Sequence, residues 1–381
     1  MEKKKVLLIN RNLSAGGIET SLLSFVDNLK DFLEIDVMLF SNDGILKNKL
    51  SKEVRIIEGG RILRLMHRDN QGKEGASIKK QTIIGKLKKF FRKSIGKIVK
   101  IFAFCGTRNK KDYDMVICFN GLDYYCAKYA KKYTKSKLKF TMIHNDISQI
   151  NVSKRQLKLI SSFDKIVCVS NSCSNIFKKK YPLLDSKVDY IYNFQNCEEI
   201  LGLAQEFNVE YAKGKNFITV ARLSEEKAHL RTLNALKRIK DEGLQFTWHL
   251  VGEGVKRKDI EEFIKTNNMN EYVILHGNQK NPYPYIKPAE FLFIGSYNEA
   301  APMVYAEAMC LGVPIITTRT SSADELVGER GLICENSEDG IYKVLRETLN
   351  NLETIRKKRN YLVNYETNSK LMIEKILGWC K

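Results

Sequence analysis

The sequence predicts an α/β protein of two domains, each a parallel sheet flanked by helices. Three observations carry that prediction. A length of 381 residues suits two domains of ordinary size, each able to bury a core. Short apolar or β-branched runs recur along the chain and alternate with helical patterns, as in buried parallel strands joined by crossover helices. The clearest unit, FLFIGSYNEAAPMVYAEAMCLGVPIITTRTSSADELV from Phe291 to Val327, reads strand, loop, helix, strand.

Composition narrows the class. Hydrophobic residues make up 43% of the chain, as in a soluble globular protein. No apolar run approaches the length of a membrane-crossing helix, and Val6 to Ile9 is too short for the apolar core of a signal peptide. Nine scattered cysteines, with no C-x2-C pair and no His at ligand spacing, predict reduced thiols in a cytoplasm rather than a disulfide framework or a zinc site. The formal net charge of +20 implies an anionic partner.

In order, Lys5 to Ile9 reads as a strand, Asn10 to Ile18 as a loop with Gly16 and Gly17, and Glu19 to Leu29 as a helix. The loop lacks G-x-G-x-x-G, so a dinucleotide site is poorly supported, and spacing alone favours an ordinary βα turn. Strands follow at Ile35 to Phe40 and Val54 to Ile57. From Arg61 to Lys111 the chain is basic and partly apolar. Within it, apolar residues from Ile83 to Phe102 recur at helical spacing with lysines between them. Such a helix either lies on an anionic membrane or packs on the domain with a solvated basic face. Nucleic acid is not expected, because no recognised binding motif accompanies the charge.

Further strands are read at Asp114 to Phe119, Phe140 to His144, Lys165 to Ser170 and Tyr190 to Asn193, with helices at Leu122 to Lys132 and Cys173 to Lys180. His144 ends its strand, so it either points into a cleft or serves as a structural hydrogen-bonder. Asn196 to Lys215 is polar and weakly periodic and reads as the interdomain connection. A second series opens with a strand at Phe217 to Ala221 and RLSEEKAH, Arg222 to His229. Arg222 and Lys227 suit a diphosphate grip, or a surface ion-pair cluster with Glu225 and Glu226. Strands at Phe246 to Val251 and Tyr272 to His276 precede the central unit. Leu332 to Cys334, a helix at Glu338 to Leu349 and a last helical stretch at Thr367 to Trp379 follow it.

In the central unit, the helix start at Met303 offers free backbone N–H groups, a seat for phosphate. Glu299 and Glu307 stand as E-x7-E. Carboxylates suit a polyhydroxylated ligand because they accept charge-assisted bonds from hydroxyl pairs; for Glu307, complementing the helix dipole is an equal reading.

The run from Glu299 through EAMCLGVPIITT, with R-L-x-x-E-K at Arg222 to Lys227, resembles the signature of family 4 retaining glycosyltransferases of bacterial cell-surface polysaccharide type. The resemblance covers nearly the whole chain and is strongest from Phe217 to Val327. It implies the GT-B fold: two Rossmann-like α/β/α domains facing an interdomain cleft. Residues 1–195 would form the acceptor-binding domain and 196–366 the nucleotide-sugar domain, with a final helix at about 367–381 packing back on the first. The family usually has Gly where this chain has Ala300, Ala221 and Ala228.

By that resemblance, the catalytic residues are Arg222 and Lys227 on the leaving diphosphate, Glu299 on the donor sugar and His144 hydrogen-bonding it. Gly16 and Gly17 face the diphosphate. Gly252 in the G-E-G turn and the loop from Gly277 pass the nucleotide, and Glu307 takes the ribose. Ala301, Pro302, Met303 and Val304 complete the donor seat. The implied reaction is retaining transfer of a hexosyl or N-acetylhexosaminyl group from a nucleotide-sugar, a UDP-sugar first, to a glycan or lipid-linked acceptor. No cofactor and no metal are required, since the cations neutralise the leaving group. The implied place is cytoplasmic, peripheral on the inner membrane face. Non-catalytic binding through the same cleft and a nucleotide-sugar epimerase of similar fold are the alternatives.

Overall fold

The computed structural model describes residues 3–14, 16–41, 44–59, 111–360 and 365–379. The first domain runs β1 (Lys4–Asn10), α1 (Gly17–Leu29), β2 (Leu33–Leu39), β3 (Arg55–Glu58), β4 (Asp112–Cys118), α2 (Tyr124–Lys132), β5 (Lys135–Ile143), α3 (Lys154–Ile160), β6 (Lys165–Cys168), α4 (Asn171–Lys180) and β7 (Val188–Tyr190). The second runs α5 (Cys197–Leu203), β8 (Asn216–Val220), α6 (His229–Asp241), β9 (Thr247–Val251), α7 (Arg257–Thr266), β10 (Val273–Gly277), α8 (Tyr283–Ile286), β11 (Leu292–Ile294), α9 (Met303–Cys310), β12 (Ile315–Thr318), α10 (Ala323–Leu326), β13 (Gly331–Cys334), α11 (Glu338–Asn350) and α12 (Glu353–Arg356). The last helix is α13 (Tyr365–Trp379).

The strand pairings are parallel in both sheets. Central strands carry unbroken apolar runs because helices cover both faces: Val6, Leu7, Leu8 and Ile9 of β1 are fully buried. Alternate residues serve opposite faces, so Val6 and Leu8 enter one apolar cluster while Leu7 and Ile9 enter another. In the second sheet, Phe217 and Ile218 of β8 divide in the same way.

The orders are β3-β2-β1-β4-β5-β6-β7 and β10-β9-β8-β11-β12-β13. Each reverses direction once, between β1 and β4 and between β8 and β11. Connections leaving those strand ends splay to opposite faces, and the crevice between them is where such sheets bind ligands. The fold thus puts the Gly16 loop after β1 at one crevice, and the Arg222 and Glu299 loops after β8 and β11 at the other.

The chain returns to the first domain at its end. Met372 and Ile376 of α13 are buried in that domain's apolar cluster. Lys375 Nζ donates to the Tyr190 carbonyl at 2.9 Å, and the Trp379 ring meets Phe140 edge-on at 5.2 Å.

Three expectations are corrected here. Cys197 and Cys310 form a disulfide, their Cα atoms 5.2 Å apart, so the thiols are not all reduced. The bond pins α5 to the far end of α9, a pairing hidden by a separation of 113 residues. Cys118, Cys126, Cys168, Cys173 and Cys334 are free and buried. The expected strand at Tyr190 to Asn193 stands instead at Val188–Tyr190, because the chain beyond it turns into the seam between the domains. The connection after Asn196 is not irregular throughout: Asn196 caps α5 by accepting from the Glu199 N–H. The basic helix expected around Ile83 to Phe102 lies outside the described residues. Among the described residues, no helix is long and apolar enough to cross a membrane.

Candidate active site

A cleft of about 500 Å³ separates the two crevices. Gly16, Gly17 and His144 line it from the first domain; Arg222, Lys227, Glu299, Ala301, Pro302, Met303, Val304 and Glu307 line it from the second. Gly252 and Gly277 are not among its lining residues. Gly252 (φ 146) lies so close to the Ala221 carbonyl that a Cβ would collide with it, and its N–H bonds Gly277 O at 2.8 Å. Both glycines therefore back the loop that carries Arg222.

The centre of the second domain's half is an ion pair. Lys227 Nζ lies 2.6 Å from Glu299 Oε1, with both side chains largely buried. The same oxygen accepts from Ser296 Oγ at 2.6 Å. An ammonium has three donors and a carboxylate two oxygens, so the pair keeps donors for an anion and Oε2 for hydroxyls. Arg222 is more exposed and pairs with Glu226 at 2.6 Å. Its planar fork retains donors beyond that bond.

The loops on either side of the switch point are locked together. Tyr297 N donates to Glu226 O at 2.9 Å, and Arg231 Nη2 donates to Gly295 O at 2.7 Å. His229 Nε2 bonds the Arg222 carbonyl at 3.0 Å. Burial holds the pKa of that imidazole down to about 4, so it is neutral at pH 7 and Nε2 carries the hydrogen the carbonyl needs. Ala228, directly after Lys227, sits in the left-handed region at φ 53, where the family's glycine carries no steric cost.

Pro302 precedes α9. The first N–H groups of a helix have no intrahelical acceptor and carry the positive end of its dipole. Those of Met303 and Val304 open α9 on the cleft that Lys227 and Arg222 also line, so backbone N–H groups and two cations share this part of it. Glu307 lies one turn on, 8% exposed, and burial pushes its carboxyl up to about 7 against a weaker opposing pull from Lys49.

Across the cleft, His144 packs against the Phe119 ring at 4.9 Å. Its covered Nε2 has no hydrogen-bond partner among the described residues. Burial depresses its pKa to about 4, so the ring is neutral; it lines the cleft while its unpartnered Nε2 stays covered by protein. Gly16 adopts extended φ before α1, and a Cβ there would collide with the Glu19 carboxylate folded back over it. Sequence reasoning missed Ser296, His229 and Glu19. Only His229 carried a signal, as the last residue of RLSEEKAH. Among the described residues, no group of three or more metal-type ligands is found.

Two parallel-sheet domains meeting across such a cleft define the GT-B fold. Solved structures bear this out. A structure of Anabaena HepE in complex with UDP and glucose matches with a TM-score of 0.71 and 17% identity, over 98% of this chain and 99% of that one. A structure of a mutant S. aureus TarM in complex with Fondaparinux, alpha-GlcNAc-glycerol and UDP matches with a TM-score of 0.72 and 12% identity, over 99% of this chain and 100% of that one.

Residues 204–369 match the model of the family described as Glycosyl transferases group 1. Among curated proteins, a Campylobacter jejuni N-acetylgalactosamine-N,N'-diacetylbacillosaminyl-diphospho-undecaprenol 4-alpha-N-acetylgalactosaminyltransferase is 30% identical over 175 residues, 45% of this chain and 47% of that protein. An uncharacterized glycosyltransferase of Methanocaldococcus jannaschii is 24% identical over 176 residues, 45% and 42%. The chain thus spans about half the length of the curated relatives it matches.

Proposed function

We propose that the protein is a retaining glycosyltransferase. It moves a hexosyl or N-acetylhexosaminyl group from a nucleotide-sugar, a UDP-sugar first, to a glycan or lipid-linked acceptor in cell-surface polysaccharide assembly. Residues 1–195 take the acceptor and 196–366 the donor. The observation that carries this reading is the Lys227–Glu299 pair beside the start of α9, with Arg222 at its edge and His144 opposite. Cleavage of a sugar–phosphate bond develops negative charge on the diphosphate and positive charge on the sugar ring. Lys227, Arg222 and the α9 N–H groups stabilise the first. Glu299 Oε2 and His144 orient sugar hydroxyls, and Glu307 takes the ribose. These groups neutralise the leaving diphosphate, so the scheme requires no metal and assigns neither Glu as a nucleophile. The bound UDP of the two solved relatives supports the choice of base.

The test is a thermal-shift series with UDP, GDP, ADP and their sugars, followed by transfer and NMR assignment of the product anomer. A UDP-sugar is expected to raise Tm, transfer to survive EDTA, and the anomeric configuration to be kept. An inverted product would overturn the retaining assignment.

The acceptor side rests on sequence alone. We propose that the stretch 61–111 holds the chain on an anionic membrane at the cytoplasmic face. Pelleting with anionic vesicles is expected, weakened by salt and by replacing Lys88, Lys89, Arg92 and Lys93 with Gln. Equal pelleting with neutral vesicles would sink the idea.

A further inference from the structure

The loop from Glu299 to Ala301 enters α9 with each of its carbonyls bound from behind. Glu299 O accepts from Ser321 Oγ at 3.0 Å and Ser322 Oγ at 3.4 Å. Ala300 O accepts from Ser170 Oγ at 3.2 Å. Ala301 O accepts from Asn193 Nδ2 at 3.1 Å, and Asn193 is fixed in that orientation because its Oδ1 accepts from Ser21 Oγ at 2.7 Å. Ser170, Asn193 and Ser21 belong to the first domain. Ala300 itself is 6% exposed and packs in the first domain's apolar cluster, so the methyl that departs from the family's glycine is used there.

The second domain answers with a carboxylate. Ser170 is the N-cap of α4, its hydroxyl accepting from Cys173 N. The two N–H groups between them, on Asn171 and Ser172, donate to Glu325 Oε1 at 2.9 Å and Oε2 at 2.7 Å. A carboxylate across two N–H groups at a helix start is both charge-assisted and aligned with the dipole. Glu325 lies on α10, directly after the serines that hold the Glu299 carbonyl. The bonds close a ring: donor loop, Ser170, start of α4, Glu325, Ser321 and Ser322, donor loop. It crosses between the domains twice.

We propose that Glu325 is a positioning residue for the donor. By locking α4 to α10, it makes domain contact and the shape of the 299–304 loop a single event. With the carbonyls turned away, the N–H ends of that stretch face the cleft. The idea rests on the nucleotide-sugar reading for its ligand but not for its structural consequence.

The experiment uses the full chain with Glu325→Ala and Glu325→Gln, amide hydrogen exchange, and UDP titration by calorimetry. In Glu325→Ala, exchange is expected to speed at least tenfold in both 171–172 and 299–304, and the UDP Kd to rise about tenfold. In transfer assays the donor KM rises more than kcat falls. Glu325→Gln keeps one acceptor oxygen and should fall between, which also covers misfolding of the alanine variant. Faster exchange confined to 171–172, with unchanged UDP affinity, would reduce Glu325 to a helix cap and overturn the proposal. If the parent chain binds no UDP, the functional reading fails for that nucleotide and exchange at 299–304 alone decides the ring.

Discussion

Lys227→Ala is expected to lower kcat/KM by about 10²–10³-fold, the usual loss when one preorganised group facing developing charge is removed. Two effects must be separated. Lys227 neutralises the leaving diphosphate, and in the free protein it also neutralises Glu299 at 2.6 Å. Removing it leaves a carboxylate that is about 10% exposed without its cation. Breaking one side of a buried pair costs more stability than removing both partners. Lys227→Ala should therefore lose Tm as well as turnover. The double variant Lys227→Met with Glu299→Gln should recover Tm but not activity. Arg222→Ala supplies the cleaner kinetic test: its pair with Glu226 is exposed on both sides and worth little to folding. Its turnover should fall heavily with Tm unchanged. Near-parental turnover in either single variant would remove that residue from the mechanism.

The sequence disclosed what depends on short-range pattern. The apolar runs mark the strands because both faces of each sheet are covered. Glu299, Glu307, Arg222 and Lys227 are legible because E-x7-E and R-L-x-x-E-K resemble a known signature, each motif just past a strand end. Helix α3 was also within reach, since Ser153 and Gln156 form a capping box and S-K-R-Q is visible in the chain. Other features depend on distance. Asn193 meets Ala301 across 108 residues and Asn171 meets Glu325 across 154. No local rule selects those partners; they follow from how two completed domains dock. The Cys197–Cys310 bond is equally distant in sequence, although both residues lie in the second domain. His229 shows an intermediate case: its position in RLSEEKAH is readable, but its bond to the Arg222 carbonyl needs the left-handed turn at Ala228.

Glu307 should make nucleotide affinity depend on pH. Its carboxyl is pushed from 4.5 up to about 7 by burial, and it makes no side-chain hydrogen bond among the described residues. The ionised carboxyl offers a hydroxyl pair two charged acceptor oxygens where the neutral acid offers one carbonyl oxygen, so binding favours the ionised form and lowers the pKa in the complex. Below pH 7 binding must then expel a proton, and Kd for a UDP-sugar should rise as pH falls, approaching tenfold per unit. Above pH 7 Kd should be flat. A UDP-sugar is the right probe because its diphosphate has no terminal ionisation in that range. The unliganded folded chain is expected to show the converse. Between pH 4.5 and 7 the native carboxyl binds more protons than the unfolded one, so stability falls as pH rises through that window, by about 3 kcal/mol in all. Glu307→Gln should abolish both slopes, weaken UDP-sugar binding, and leave the protein more stable than its parent above pH 7. A parental pH profile in that variant would show that another group titrates and that the ribose lies elsewhere. Flat Kd from pH 5.5 to 8.5 in the parent would mean that the Glu307 carboxyl gains no hydroxyl partner on binding.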